Sequence, residues 1–514
     1  MTHAKHKLST ALKSALAQWV FFSHCSYNNR TLQGSSFLQC LAPILRALYG
    51  QRWGKEMQKH VGPFNTEPNV GCCVHGVVAR MEVQRAQGQE VSAESITATK
   101  QTLMGLLAGL GDPFTQGGVT FSLMAVCVSL SLLGHAWAPV AYAVLITAVM
   151  AFFACRTFYF GYRHGLLAVS DSLQRGWVQR VLHLSGLMSC IVLGAVAATL
   201  PLPIAPGTAQ PVLARVLPLL CVMICYGLFR QNLSAQKLFL LVCTAGLGLY
   251  SAGALYAPAE AMACTPQPLL PWQALLLALL YYASISTWTT GIGFVTLYRP
   301  VVSGFFVGWI LGDLAQGVTI GACIQLAYLG FIAGGGAMPA DLAMAGVPGT
   351  ALGMLLGLHP FACVPLSMLL GMLGRLIWSG RMRYNARFAQ RAETCACQGD
   401  ARGIWRWNVW APQALLLSVS LVLIVPLLYA LLALCTLAAP YLSAAWPALY
   451  CAGQLLPCLG LGSGLCAVAT KRTMPGFLLG YALCLLPHLQ VWSVAALGFL
   501  LCALGYRPLR KQSA

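Results

Sequence analysis

Residues 321–341 read GACIQLAYLGFIAGGGAMPAD: an apolar segment carrying Gln325, the triplet Gly334, Gly335 and Gly336, then Pro339 and a lone carboxylate at Asp341. Three glycines and a proline cannot sustain a regular helix. Within a bilayer, irregular backbone persists only where protein or a watery cavity covers it. An acidic residue at such a break belongs by default to a polar pathway. Amides and carboxylates in a water-accessible cavity suit a sugar, whose hydroxyls both donate and accept. Gln325 and Asp341 are therefore candidate substrate ligands, and Gly334, Gly335, Gly336 and Pro339 the candidate helix break. Asn65, within Phe64-Asn65-Thr66, is a further candidate; a loop asparagine closing a local turn fits it equally well.

Among the apolar runs the acidic residues are Asp112, Asp313 and Asp341, each in a glycine-containing frame: GLGDPF, ILGDLAQG and GGGAMPAD. For Asp112 and Asp313 the neighbouring Gly and Pro favour helix capping, a structural role. Tyr27, Trp288 and Tyr298 offer rings for a sugar face, although membrane aromatics commonly serve as interfacial anchors. Catalytic constellations are missing: the chain has no P-loop, no H-E-x-x-H and no G-x-S-x-G. His24, His75 and His135 read as structural or loop residues rather than phosphoryl acceptors. Cys72-Cys73 and Cys395-x-Cys397 lack a second ligand pair at zinc spacing. We expect no catalytic residue, no metal and no cofactor on this chain.

These residues must be positioned by membrane helices. Of 514 residues, 58% are hydrophobic and 8% charged, whereas soluble chains carry roughly a quarter charged residues. The apolar runs are long enough for helical spans rather than barrel strands. The net charge of +19 is spread over Arg156, Arg163, Arg175 and Arg180, then Arg375 to Arg406, then Lys471-Arg472, then Arg507 to Lys511. Such clusters read as cytoplasmic loops beside anionic lipid headgroups. Nucleic-acid binding would concentrate the charge on one soluble face. The 21 cysteines are scattered through apolar segments, as small hydrophobes rather than a disulfide framework. No cleavable signal peptide is evident at the N-terminus.

The expected organisation has five parts. Residues 1–100 form an interfacial, amphipathic helical region, in which Phe37, Leu41, Ile44 and Leu48 recur at helical spacing, with Arg46, Gln39 and Gln51 on other faces. Residues 101–257 are transmembrane, and 258–271 form a proline-rich linker whose lack of Lys and Arg suggests the extracytoplasmic side. Residues 272–507 form a second transmembrane module with a large Arg-rich loop at 379–410, and 508–514 a basic tail.

Two sets of motifs then coincide with a known family. FNTEPNVGCCVHGVVARMEVQRAQG at 64–88 and LMGLLAGLGDPFTQG at 103–117 closely resemble the IID membrane subunit of mannose-family sugar phosphotransferase systems (PTS). Ser26-Tyr27-Asn28 and the run from Pro43 to Tyr49 fit the same subunit. Residues 299–313, 316–341 and 463–481 resemble the IIC subunit. The resemblance implies an all-α polytopic bundle with broken or re-entrant helices, IID-like to about residue 257 and IIC-like from about 270. It implies a sugar permease in the bacterial cytoplasmic membrane, commonly a trimer, whose sugar is phosphorylated by a separate IIB protein charged by IIA.

By this resemblance, Asn28 and His24 join Gln325, Asp341 and Asn65 near the sugar. The chain departs from the family pattern at several of these places. Gln325 stands where well-known members have Glu, Ala333 where they have Asn, His24 where they have Gln and Tyr27 where they have Trp. Leu106 and Gln116 replace a Pro and a Trp, and Arg80 and Val83 replace a small residue and an acid. These changes point away from mannose itself, toward another hexose, a hexosamine or an altered function. The competing readings are an ion-coupled secondary transporter with Asp341 as the ion site, and a non-transporting sensor.

Overall fold

A computed structural model describes residues 2–174, 176–204, 211–259, 264–286, 293, 295–331, 338–442 and 445–505. Gly334, Gly335, Gly336, Ala333, Trp288 and the 508–514 tail lie outside the described residues. The described chain is helical; its β-type pairing is confined to isolated bridges between Asn28, Leu32 and Phe64. Among the described residues, six helices are long and apolar enough to cross a membrane, as expected of a membrane protein.

The N-terminal region is built from α1 (Thr2–Phe22), α2 (Gly34–Tyr49) and α3 (Cys72–Ala86). The spacing of Phe37, Leu41 and Ile44 does produce a helix, with those side chains buried and Arg46 exposed. They pack with Trp19, Phe64 and His75, whose imidazole lies 4.0 Å from the Trp19 ring and 4.7 Å from Phe37. Gln39, expected on an outer face, is buried for a reason given below.

The remaining N-terminal half comprises α4 (Ala93–Leu132), α5 (Ala138–Gln174), α6 (Trp177–Ala198), α7 (Pro211–Arg230) and α8 (Ala235–Ser251). Arg156, Arg163 and Arg180 sit on α5 and α6 rather than in a loop.

After 271 come α9 (Pro271–Ile285), α10 (Pro300–Leu311), α11 (Leu314–Ala327) and α12 (Leu342–Leu355). The apolar run over 301–331 is not one span. It turns back at Gly312, whose φ of 93° suits glycine. Asp313 caps α11 by accepting from the Gln316 N–H at 2.9 Å. At about 1.5 Å per residue, α10 and α11 are roughly 18 and 21 Å long, short of the roughly 30 Å hydrocarbon core. They form a re-entrant hairpin. Replacing Asp313 with Ala should cost about 1 kcal/mol, measurable as a lower unfolding midpoint in detergent; an unchanged midpoint would deny the cap its role.

The last helices are α13 (Cys363–Cys397), α14 (Ala401–Tyr441), α15 (Ala445–Val468), α16 (Met474–Cys484) and α17 (Val491–Gly505). The Arg-rich loop expected at 379–410 is instead the helical continuation of α13 and the start of α14. Clusters of arginine interrupt hydropathy without interrupting a helix, since Arg is a good helix former. The two halves share cores. Leu238 and Phe239 pack with the cluster around α12, and Phe121 and Ile191 pack with Leu326 and Phe477.

Candidate functional site

Asp341 occupies the N-cap of α12 and is buried. One carboxylate oxygen accepts from the backbone N–H groups of Ala343 and Met344 at 3.0 and 3.2 Å. The other accepts from the Tyr281 hydroxyl of α9 at 2.9 Å. Its own backbone N–H donates to the Gly371 carbonyl of α13 at 2.8 Å. One turn on, a Cβ at position 374 would lie 2.6 Å from that of Asp341, so only glycine lets α13 lie against the carboxylate. Tyr298 completes the surround. Its hydroxyl accepts from the Leu342 N–H at 3.1 Å and reaches the Ala340 carbonyl at 3.4 Å. Tyr298, Met338, Ala340, Asp341, Arg375 and Trp378 border a narrow crevice, too tight in this state for a water molecule. Pro339, between two of these residues, lies in a bend just before the cap.

Gln325 lies in the last turn of α11, fully buried. Neither its amide oxygen nor its nitrogen has a hydrogen-bond partner among the described residues. An unmet buried amide costs about 1–3 kcal/mol, a cost that a ligand or water at this position would remove. Gln325 thus sits near the end of one short helix and Asp341 at the start of the next, and no bond joins them among the described residues.

The N-terminal candidates gather in the loop after α1. Gln33 fixes its orientation by accepting from the Thr66 N–H and donating to the Thr66 carbonyl, both at 3.0 Å. Its nitrogen also lies 3.1 Å from His24 Nε2, which must therefore accept. His24 Nδ1 then carries the proton and donates to the Ser23 hydroxyl at 3.0 Å. Burial pushes the His24 pKa down to about 4, so this imidazole is neutral at physiological pH. Its ring stacks on Tyr27 with centroids 5.5 Å apart. Asn28 is fully buried in a turn, with its oxygen accepting from the Arg30 and Thr31 N–H groups at 2.9 and 3.0 Å. Its nitrogen donates to the Ser26 carbonyl at 2.8 Å. Asn65 is half-buried and meets the Tyr27 hydroxyl at 3.5 Å, leaving its amide nitrogen open.

A depressed histidine pKa has a testable sign. Below the unfolded value of 6.5, the unfolded chain binds protons that folded His24 refuses, so stability falls as pH drops from about 6.5 toward 4. Burial also lowers the pKa of His60, adding in the same direction. Thermal unfolding at pH 7 and 5 should show a lower midpoint at pH 5, with a shallower dependence in His24→Gln. Equal slopes in both proteins would remove His24 from the account.

Asp112 departs from the expected capping role. It lies inside the unbroken helix α4, where the winding loosens to a π-type stretch at Pro113–Thr120, and accepts from Gln116 at 2.8 Å.

Three residues of the site were not singled out from the sequence. Tyr281 is hidden in an apolar run. Arg381 and Asn385 lie one turn apart on α13 and are buried. The charge of Arg381 acts on Asp341 and Tyr281, and also on Cys25 of the N-terminal loop. Asn385 donates to the Tyr27 carbonyl at 3.1 Å. The spacing of four between them was the available signal, but it marks a buried face only once a partner is known to cover it.

Further along the same surface, Glu393 pairs with Arg30. From α14, Asn408 bonds Ser26, Ser36 and Gln39, which explains why Gln39 is buried. A polar track therefore runs from Asp341 along α13 to the loop holding His24, Tyr27, Asn28 and Asn65.

Comparisons with known proteins assign both halves. The family model "PTS system mannose/fructose/sorbose family IID component" matches residues 8–255. The model "PTS system sorbose-specific iic component" matches residues 271–504. The mannose-specific EIID component of Escherichia coli K12 is 26% identical over 252 residues, covering 45% of this chain and 89% of that protein. The N-acetylgalactosamine permease IIC component 1 of the same organism is 27% identical over 216 residues, covering 40% of this chain and 76% of that protein. A chain in a cryo-EM structure of the mannose transporter ManYZ with microcin E492 is 24% identical. That likeness covers 48% of this chain and 97% of the other, with a TM-score of 0.30. The chain belongs to the mannose/fructose/sorbose family of PTS membrane components, with a IID-type half and a IIC-type half fused in one polypeptide.

Proposed function

We propose that this protein is the membrane permease of a mannose-family PTS, carrying a hexose or amino sugar whose phosphorylation is performed by a separate IIB protein. The observation that carries the reading is Asp341: a buried carboxylate at the tip of a short helix, beside a crevice, in the half matched by the IIC model. Gln325 contributes an amide with unmet bonds, and Asn65 an amide nitrogen from the IID-type half. His24 and Asn28 shape the loop that presents Tyr27 and Asn65. Asp112 and Asp313 hold helices in place, and Pro339 lies in the bend before the Asp341 cap; the gating role expected of Gly334, Gly335 and Gly336 falls outside the described residues.

The division into a 1–100 interfacial region, a 101–257 membrane part, a 258–271 linker and a 272–507 translocating module belongs to the same proposal. So do a cytoplasmic placement of the N-terminal region and the Arg-rich segments, and assembly as a homotrimer. Relatives are named for mannose, fructose, sorbose and N-acetylgalactosamine, which sets the panel to test.

The experiment is uptake of those four radiolabelled sugars by cells expressing this chain, with and without IIA and IIB proteins of the same system. Phosphorylated sugar that accumulates only with IIB supports the proposal. Free sugar accumulating without IIB would replace it with ion-coupled transport, and no uptake of any sugar would leave a sensor.

A further inference from the structure

Arg381 is a buried residue whose guanidinium makes no hydrogen bond to any described residue and keeps some contact with solvent. Its close contact is a cation–π stack on Trp378, 5.0 Å from the ring centroid, and Trp378 lines the crevice at Asp341. One turn further along α13, Asn385 is 1% exposed, and its side-chain oxygen has no partner among the described residues. A buried helix face thus offers an unused donor fork and an unused acceptor about 6 Å apart along the axis. Buried polar groups in native proteins are nearly always satisfied, so the Asn385 oxygen is built to bond something else, with the Arg381 donors one turn away.

The charge balance narrows what that is. Arg381 and Asp341 act on each other electrostatically without a direct ion pair, so their fields at the station partly offset. A free anion would meet the field of Asp341 and a free cation that of Arg381. A neutral polyol meets neither penalty, and each of its hydroxyls can accept from the guanidinium and donate to the amide oxygen.

We infer that Arg381 and Asn385 form a second sugar-hydroxyl station, between the Asp341 centre and the loop of the IID-type half. It rests on the sugar-permease reading above and adds to it a specific position on the path. Because Asn385 also holds the Tyr27 carbonyl, a sugar bound there touches the contact that joins the two halves.

The test is equilibrium binding to the purified full-length chain in lipid nanodiscs. Mannose, fructose, sorbose and N-acetylgalactosamine are the probes, followed by the monodeoxy analogues of whichever binds. Wild type should lose about tenfold in affinity for at least one deoxy analogue. Asn385→Ala should bind that analogue and its parent within about twofold of each other, because the interaction is already gone. Asn385→Asp, which keeps an acceptor oxygen but breaks the Tyr27 contact, should retain the discrimination. Arg381→Gln should blunt it. A purely structural role predicts the opposite pattern, with every analogue weakened by one common factor in Asn385→Ala and Asn385→Asp alike. That result, or wild-type discrimination in both Asn385→Ala and Arg381→Gln, overturns the station while leaving the permease reading intact. A wild-type chain that binds none of the four sugars overturns both.

Discussion

Asp341→Asn should lower sugar uptake at least 100-fold, about 2.7 kcal/mol of lost stabilisation, while the protein still folds. Asparagine keeps an oxygen for the Ala343 and Met344 N–H groups, so the cap on α12 survives. What changes is the side facing Tyr281, where an acceptor becomes a donor, and the charge that opposes Arg381. Arg381 acts on Asp341 through space, without a direct ion pair between them, and losing the carboxylate leaves that cation less balanced. The single variant should therefore also unfold at a lower temperature. Pairing it with Arg381→Gln removes the stranded charge, so the double variant should recover stability without recovering uptake. Transport and thermal unfolding of the two singles and the double separate these effects. Uptake that returns together with stability would mean that Asp341 acts on the fold alone.

Gly480→Val and Gly194→Val should each disrupt the joint between the two halves. A Cβ at Gly194 would sit 2.0 Å from the Phe477 carbonyl oxygen, and one at Gly480 would sit 1.9 Å from that of Ile191. Both obstacles are helix backbone, which cannot swing aside as a side chain can. Helix pairs in membranes associate through close approach at small residues, since lipid removes the hydrophobic drive between them. α6 and α16 would have to separate by an ångström or more along their contact, forfeiting dispersion over every neighbouring pair. The measurement is co-purification after the chain is split within 258–271 and the halves are co-expressed. The unaltered halves should purify together, and either valine variant should reduce recovery of the complex about tenfold or more. Undiminished recovery would show that the α7 and α8 contacts with α15 suffice.

How much of this was legible in the chain depends on the range of the interaction. Local chemistry read well. The period of Phe37, Leu41 and Ile44 gave α2, and Gly-Asp at 312–313 gave a cap, although not the reversal it permits. Asp341 stood out because a carboxylate after three glycines and a proline has few other uses in a membrane. The cap it forms is a bond to the next two residues, and such short-range bonds leave a mark in sequence.

Arg381 was hidden by its company. Counted with Arg375, Arg383, Arg387 and Arg391 it looks like one more solvated cation, and four of those five are indeed exposed. Only the N-terminal loop, more than 350 positions away, decides which arginine is buried. Gln39 was misplaced for the same reason, since Asn408 is its partner. Asp112 misled in another way: Gly and Pro beside it suggest a helix end, yet a bilayer-embedded helix absorbs a proline by loosening its winding.

Helix α13 has a mechanical meaning beyond the bonds it makes. Its 35 residues form a rod about 52 Å long, touching Asp341 at Gly371 and Gly374 and the Arg30 side chain at Glu393. From Gly374 to Glu393 the rod runs about 28 Å, so a tilt of about 10° pivoting at the site would swing the far end by roughly 5 Å. That is enough to separate Arg30 from Glu393. Whether the sugar site is full or empty would then be written, as a displacement, on a surface far from the sugar.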